Sequence, residues 1–77
     1  SSLLKVLADP TRLRILALVE REELRVGELS AALDMRQSRV SNHLRVLRES
    51  GLLEERSQGT STWLKLAAGG GVVERLW

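Results

Sequence analysis

The stretch MRQSRVSNHLRVLR, Met35 to Arg48, carries four arginines and one histidine, contains no carboxylate, and places its apolar residues at helical spacing. At about 100° per residue, Val40, Leu44 and Leu47 (i, i+4, i+7) fall in one narrow sector and form a stripe suited to burial. Ser38, Asn42 and Arg45 lie roughly opposite, with Ser41 to one side, Gln37 in the first turn, and Arg39 and Arg48 flanking. Arginine pairs bidentately with guanine, asparagine and glutamine pair with adenine, and serine hydrogen-bonds to bases or phosphate. This face therefore matches the donor and acceptor pattern of a DNA major groove. An ordinary solvated helix face interleaves Glu with Lys or Arg for i,i+4 pairing, whereas no Glu appears here before Glu49. The stretch predicts a helix, Gln37 to Ser50, held on a core by one face and offering the other to a polyanion.

Upstream, Asp34-Met35-Arg36 predicts a tight turn after a helix from about Val26 to Leu33, in which Leu29, Ala32 and Leu33 are apolar. Glu22 to Arg25 predicts a turn or a very short strand. Asp9-Pro10 is a helix start, because Asp caps well and Pro at the first helical position gives up an N–H that would be unpaired anyway. That helix should run to about Arg21 with Leu13, Leu16, Ala17 and either Val19 or Glu20 at its buried edge. Before it, SSLLKVLA predicts a short helical piece with Leu3, Leu4 and Leu7 on one side.

Downstream, Gly51 is placed to close the basic helix in a left-handed conformation. The period then changes to two. Leu53, Glu55 and Ser57 alternate with Leu52, Glu54 and Arg56, and a second alternating run covers Ser61 to Ala67 with Leu64 and Leu66 on one face. Together they predict a β-hairpin turning near Ser57 to Thr60. AAGGG at Ala67 to Gly71 predicts a hinge, and Val72, Val73, Leu76 and Trp77 have the spacing of a further helix.

Three helices, the second pair joined by a short turn and followed by a hairpin, define a mainly α fold with a small β-hairpin: a winged helix-turn-helix. In that arrangement the last helix of the pair enters the major groove while its predecessor crosses the backbone. The hairpin is the wing. Arg56, Gln58 and Thr60 near its tip are candidates for phosphate or minor-groove contact, which would position the domain rather than read sequence.

A chain of 77 residues suffices for one small domain, near the lower size at which a core is self-sufficient. With two Trp and no Phe or Tyr, the core must be built from Leu, Val, Ile and Ala. The net charge of +2 says little about partners; its distribution says more, since acids cluster at Glu20–Glu28 and Glu49–Glu55 and leave the middle basic. No cysteine is present, which excludes disulfides and thiolate metal sites within these residues, and a single histidine cannot build a His-rich one. No run approaches the roughly 18 apolar residues of a membrane span, and nothing resembles a signal peptide. A cytoplasmic domain is expected. A first residue Ser and an apolar last residue Trp77 suggest a fragment of something longer.

On LADPTRLRIL (Leu7 to Leu16), VGELSAAL (Val26 to Leu33), QSRVSNHLRVLRESGLL (Gln37 to Leu53) and the hairpin through Leu66, the chain resembles the ArsR-type winged-helix repressors. The resemblance implies a homodimer on palindromic operator DNA, with Gln37, Ser38, Ser41, Asn42 and Arg45 at recognition positions. It also implies a dimer interface from the first and last helices, here Leu3, Leu4, Leu7, Val72, Val73, Leu76 and Trp77. Many such repressors sense metals or arsenite through cysteines in the segment matching ELRVGEL (Glu23 to Leu29), where Arg25 and Gly27 stand instead. A second family site uses carboxylates and His on the final helix, of which only Glu74 is available. No metal or other cofactor is therefore expected. QSRVSNHL is also similar to a subgroup fused to an S-adenosylmethionine-dependent methyltransferase. A winged helix used for protein docking is the other alternative, against which the acid-free Met35–Arg48 stretch argues.

The remaining conspicuous residues have plainer readings. His43, on the flank of the buried stripe, is expected to be packed or locally hydrogen-bonded. Trp63 should partly cover the hairpin, and Gly69 to Gly71 lack the strand–glycine–helix context of a phosphate cradle. Glu22-Glu23 and Glu54-Glu55, with no adjacent nucleophile, are expected to be solvated charges, so no catalysis is expected.

Overall fold

The computed structural model describes residues 3–67. Its elements are α1 (Leu3–Leu7), α2 (Pro10–Arg21), β1 (Leu24–Arg25), α3 (Val26–Leu33), α4 (Gln37–Glu49), β2 (Leu53–Gln58) and β3 (Ser61–Leu66). The helix expected over 72–77, and with it Val72, Val73, Leu76 and Trp77, lies outside the described residues, as does most of the glycine hinge.

Each boundary has a local cause. Asp9 starts α2: its Oδ1 accepts from the amides of Thr11 at 2.8 Å and Arg12 at 3.4 Å, and Pro10 takes the first helical position. At α3, Glu28 Oε1 reaches back to accept from the Arg25 amide at 2.9 Å, half of a capping box. Both α3 and α4 end in the same way. The amides of Asp34 and Met35 donate to the carbonyls of Ala31 and Ser30, and those of Gly51 and Leu52 donate to the carbonyls of Arg48 and Leu47. These paired bonds are the Schellman motif, which requires a left-handed residue at the turn. Gly51 supplies it at φ 77° without strain, while Asp34 adopts φ 53° with a side chain that tolerates this region. The Ser30 hydroxyl donates to the Met35 carbonyl and further fixes the turn between the two helices.

The three strands form one antiparallel sheet in the order β1-β3-β2. Leu24 pairs with Leu64 and Arg25 with Trp63, while Leu53, Glu55 and Arg56 pair with Leu66, Leu64 and Trp63. One sheet face thus gathers leucines against the helices, and the other aligns Arg25, Trp63 and Arg56. The turn of the wing is Gly59-Thr60, with Gly59 at φ 62°.

Val6, Ile15, Val19, Leu29, Leu33, Val40, Leu44, Leu47, Leu52, Leu53 and Leu64 form the buried core. On α4 the buried residues are Val40, Leu44 and Leu47, the stripe expected from the spacing. In α1 the buried residue is Val6, while Leu3 and Leu7 are partly buried and Leu4 is 73% exposed. The expected buried edge of α2 needs correction. In α2 the buried pair is Ile15 and Val19; Leu13 is 49% exposed, Leu16 is half-buried, and Ala17 and Glu20 are exposed. The run Leu13 to Val19 includes apolar side chains all round the helix, so periodicity alone does not choose a face. Ala32 of α3 is also exposed.

Candidate nucleic-acid interface

The turn at Asp34 sets α4 against α3, and the Val40–Leu44–Leu47 stripe fixes its rotation. The opposite face is consequently outward. Gln37, Ser38, Arg39, Ser41, Asn42 and Arg45 are all exposed, and their side chains have no hydrogen-bond or ion-pair partner among the described residues. The amide nitrogen of Gln37 lies beside α3, 3.5 Å from where a Cβ on Gly27 would stand. No side chain caps the N-terminus of α4, whose first residue after Arg36 is Gln37. Free amides and the positive end of the helix dipole there add to a surface suited to phosphate.

The cations nearer the wing are differently placed. Arg48, in the last turn of α4, pairs with Glu55 of β2, whose position on the leucine side of the strand turns it toward that helix. Arg56 Nε donates to Glu23 Oε1 at 2.9 Å and its Nη1 to Gln58 Oε1 at 2.7 Å. Lys65 lies 3.8 Å from Glu54. The acids expected to be solvated charges lie at the surface, where Glu23, Glu54 and Glu55 also pair with Arg56, Lys65 and Arg48, and Glu22 is exposed. Residues 53–66 hold two acids and two bases, so the wing carries no net charge. Thr60 is exposed at its tip.

Trp63 partly covers the outer face of the sheet, as expected. Its cross-strand neighbours lie over the ring, with the Arg25 and Arg56 guanidinium carbons 5.1 and 5.9 Å from the centroid. Each such cation–π contact contributes about 0.5–1 kcal/mol at an exposed site. Arg25 also lies 3.6 Å from Glu28, whose carboxyl is held below its usual range chiefly by the Arg25 amide, against the opposing effect of burial and with lesser help from the guanidinium. His43 is half-buried and locally bonded: its Nδ1 accepts from Arg12 Nε at 3.2 Å. Sequence reading overlooked Arg12. The available signal was its position three residues before Ile15, on the side of α2 that is buried.

A trihelical core, a helix-turn-helix with an outward polar second helix and a three-stranded wing define a winged helix-turn-helix domain. Residues 9–55 match the family described as bacterial regulatory protein, arsR family, and the chain belongs to that family. It is 55% identical over 58 residues to the arsenical resistance operon repressor of Escherichia coli (strain K12), covering 74% of this chain and 50% of the repressor. It is 41% identical over 66 residues to the transcriptional activator HlyU of Vibrio cholerae, covering 86% of this chain and 61% of the activator. The chain spans about half the length of several curated relatives it matches. Among solved structures, reduced HlyU from Vibrio cholerae superposes with a TM-score of 0.81 at 36% identity, covering 97% of this chain and 84% of that one. The homodimeric winged helix-turn-helix DNA-binding domain of a possible ArsR-family regulator from Mycobacterium bovis gives 0.81 at 36% identity, covering 94% and 65%.

Proposed function

We propose that the chain is the DNA-binding domain of a transcriptional regulator that binds double-stranded DNA as a homodimer and has no catalytic role. The observation that carries this reading is the outward face of α4, where exposed donors and acceptors without protein partners stand opposite a fully buried stripe. Asn42, Ser38 and Arg45 take the centre of the groove as base readers, with Gln37 and Ser41 beside them. Arg39 contacts phosphate, Thr60 reaches the backbone from the wing tip, and Arg48 and Arg56 do so on release from Glu55 and Glu23. Leu4, exposed on α1, with Leu3 and Leu7 beside it, supplies part of the dimer surface, which Val72, Val73, Leu76 and Trp77 complete. A two-fold dimer then presents two α4 helices to half-sites about 10 base pairs apart, or a multiple of that.

Support for DNA as partner comes from the relatives, which are named as repressors and as an activator, and from the homodimeric DNA-binding domain among the structural neighbours. The test is fluorescence anisotropy on a duplex enriched from a random library by the wild-type chain, compared with a scrambled duplex. Asn42→Ala and Arg45→Ala should each lower the preference for the enriched duplex by about 1–3 kcal/mol. Equal losses on both duplexes would remove these residues from the readers.

A further inference from the structure

Arg12 connects three helices. From α2 its Nε donates to His43 Nδ1 on α4 at 3.2 Å, and its Nη1 donates to the Val6 carbonyl of α1 at 3.4 Å. A guanidinium has only donors and keeps its proton, so His43 Nδ1 must accept; the ring is then neutral and carries its hydrogen on Nε2. Nε2 has no partner among the described residues, and no buried side-chain nitrogen or oxygen there is unsatisfied, so that atom reaches solvent. The neutral ring is thus part of the joint between α1 and α4.

We propose that Arg12 is a positioning residue for α4, tying the reading helix to α1 through His43, and that selectivity for DNA sequence falls when the His43 ring takes a second proton. The inference rests on the DNA-binding reading above. A proton on Nδ1 would leave two donors and two positive charges facing each other. Asp9, at the start of α2, is the carboxylate near both groups; it lessens the repulsion, while its Oδ1 is taken up by the Thr11 and Arg12 amides and it makes no hydrogen bond to either side chain. Of the other charged groups on the elements around α4, Arg14, Glu20 and Arg21 of α2 are exposed or at its last turn and make no ion pair among the described residues, while those of α3 and β2 have partners elsewhere. Glu28 of α3 is engaged with Arg25, while Glu54, Glu55 and Arg56 of β2 are engaged with Lys65, Arg48 and Glu23. Lys5 is the charged residue of α1, and Arg39 precedes His43 by one turn on α4. Base contacts need α4 at a fixed angle and depth, whereas attraction to phosphate tolerates displacement. Loss of the joint should therefore lower the ratio of affinities for matched and scrambled DNA, while an added positive charge raises both.

The experiment measures that ratio with the library-enriched and scrambled duplexes at about pH 8 and about pH 5.5, an interval across which histidine changes charge. In the wild-type chain the ratio should fall on the order of tenfold at the lower pH, the size expected for a charged hydrogen bond. Arg12→Gln and Arg12→Lys should show the low ratio at both pH values, with Asn42 and Arg45 intact. His43→Gln, whose side-chain oxygen accepts from Arg12 and does not titrate, should keep the high ratio at both. Nitrogen NMR of the His43 ring should show Nδ1 without and Nε2 with a proton at about pH 8 in the wild type. A wild-type ratio independent of pH, an Arg12→Gln ratio equal to wild type, or a ring protonated on Nδ1 would overturn the proposal. A wild type that binds neither duplex would instead remove the DNA-binding reading and the selectivity claim together, with the ring spectrum still deciding whether the Arg12 joint exists.

Discussion

Asp9 does two things at once: it caps α2 and it carries the negative charge nearest to Arg12 and His43. Burial alone would favour its protonated form, but the Thr11 and Arg12 amides, with positive charge on Arg12 and on His43 whenever that ring is protonated, outweigh this and hold the carboxyl below its ordinary value of 3.8. A carboxyl depressed on folding stabilises the fold above its unfolded pKa and loses that contribution as pH falls through the folded one. Asp9→Ala should cost about 1 kcal/mol near neutral pH, with the difference from wild type shrinking as pH drops below about 4. Urea melts at neutral and acid pH would measure both. A difference that stayed constant would mean that the charged carboxylate is not what caps the helix. Asp34 is a contrasting case, since its side chain is at a turn because its backbone conformation is one few residues other than glycine or asparagine adopt readily.

At the level of elements, the wing is held by charges that could otherwise face DNA. Glu23, in the segment before β1, occupies the Arg56 guanidinium, so the wing meets a duplex with that cation already paired. Exposed pairs of this kind contribute only about 0–1 kcal/mol to stability, so releasing one changes binding more than folding. Glu23→Gln should strengthen binding to matched and scrambled duplexes alike and steepen the slope of log affinity against log salt by about 0.9. An unchanged slope in salt titrations would show that Arg56 does not reach phosphate. These pairings were not legible in the sequence, because Glu23 and Arg56 are 33 residues apart and meet only once β1 has joined β3. The reading helix was legible throughout, since Val40, Leu44 and Leu47 are surrounded by polar residues and leave one choice of face. The helix start at Asp9-Pro10 and the hairpin turn were equally readable from local chemistry, whereas Glu22 to Arg25 could be read only as a turn or a very short strand, because pairing with β3 decides between them. By contrast, α2 hid its orientation behind Leu13, Ala17 and Leu18, apolar residues it does not fully bury. The direction in which Arg12 points was hidden with it.

Across the whole molecule, one small core supports every functional surface. Ile15 and Val19 from α2, Leu29 and Leu33 from α3, the α4 stripe and Leu64 from the central strand meet there, so the outward face of α4 is only as well placed as this packing allows. Leu44, buried at 2% exposure and one residue from His43, lies where positioning and stability coincide. Leu44→Ala should cost about 2–5 kcal/mol, a large part of the total of about 5–15 kcal/mol typical of a folded domain. Thermal or urea unfolding would register it as a marked loss of stability, with DNA binding lost alongside the fold. A loss below about 1 kcal/mol would mean that the site collapses around the smaller side chain and that the core is less tightly packed than its burial indicates.

The indole of Trp63 sits between the guanidinium groups of Arg25 and Arg56, one from the segment leading into α3 and one from the wing. With no tyrosine and only one other tryptophan, Trp77, the chain carries a nearly ready optical probe. In a Trp77→Phe background, emission from Trp63 reports the separation of its two cationic neighbours. A wing that closes on DNA by releasing Arg56 should change that emission on the timescale of binding, without a dye attached to either molecule. Stopped-flow mixing with duplex would then separate encounter by α4 from settling of the wing, and a single phase shared with anisotropy would show the two surfaces landing together.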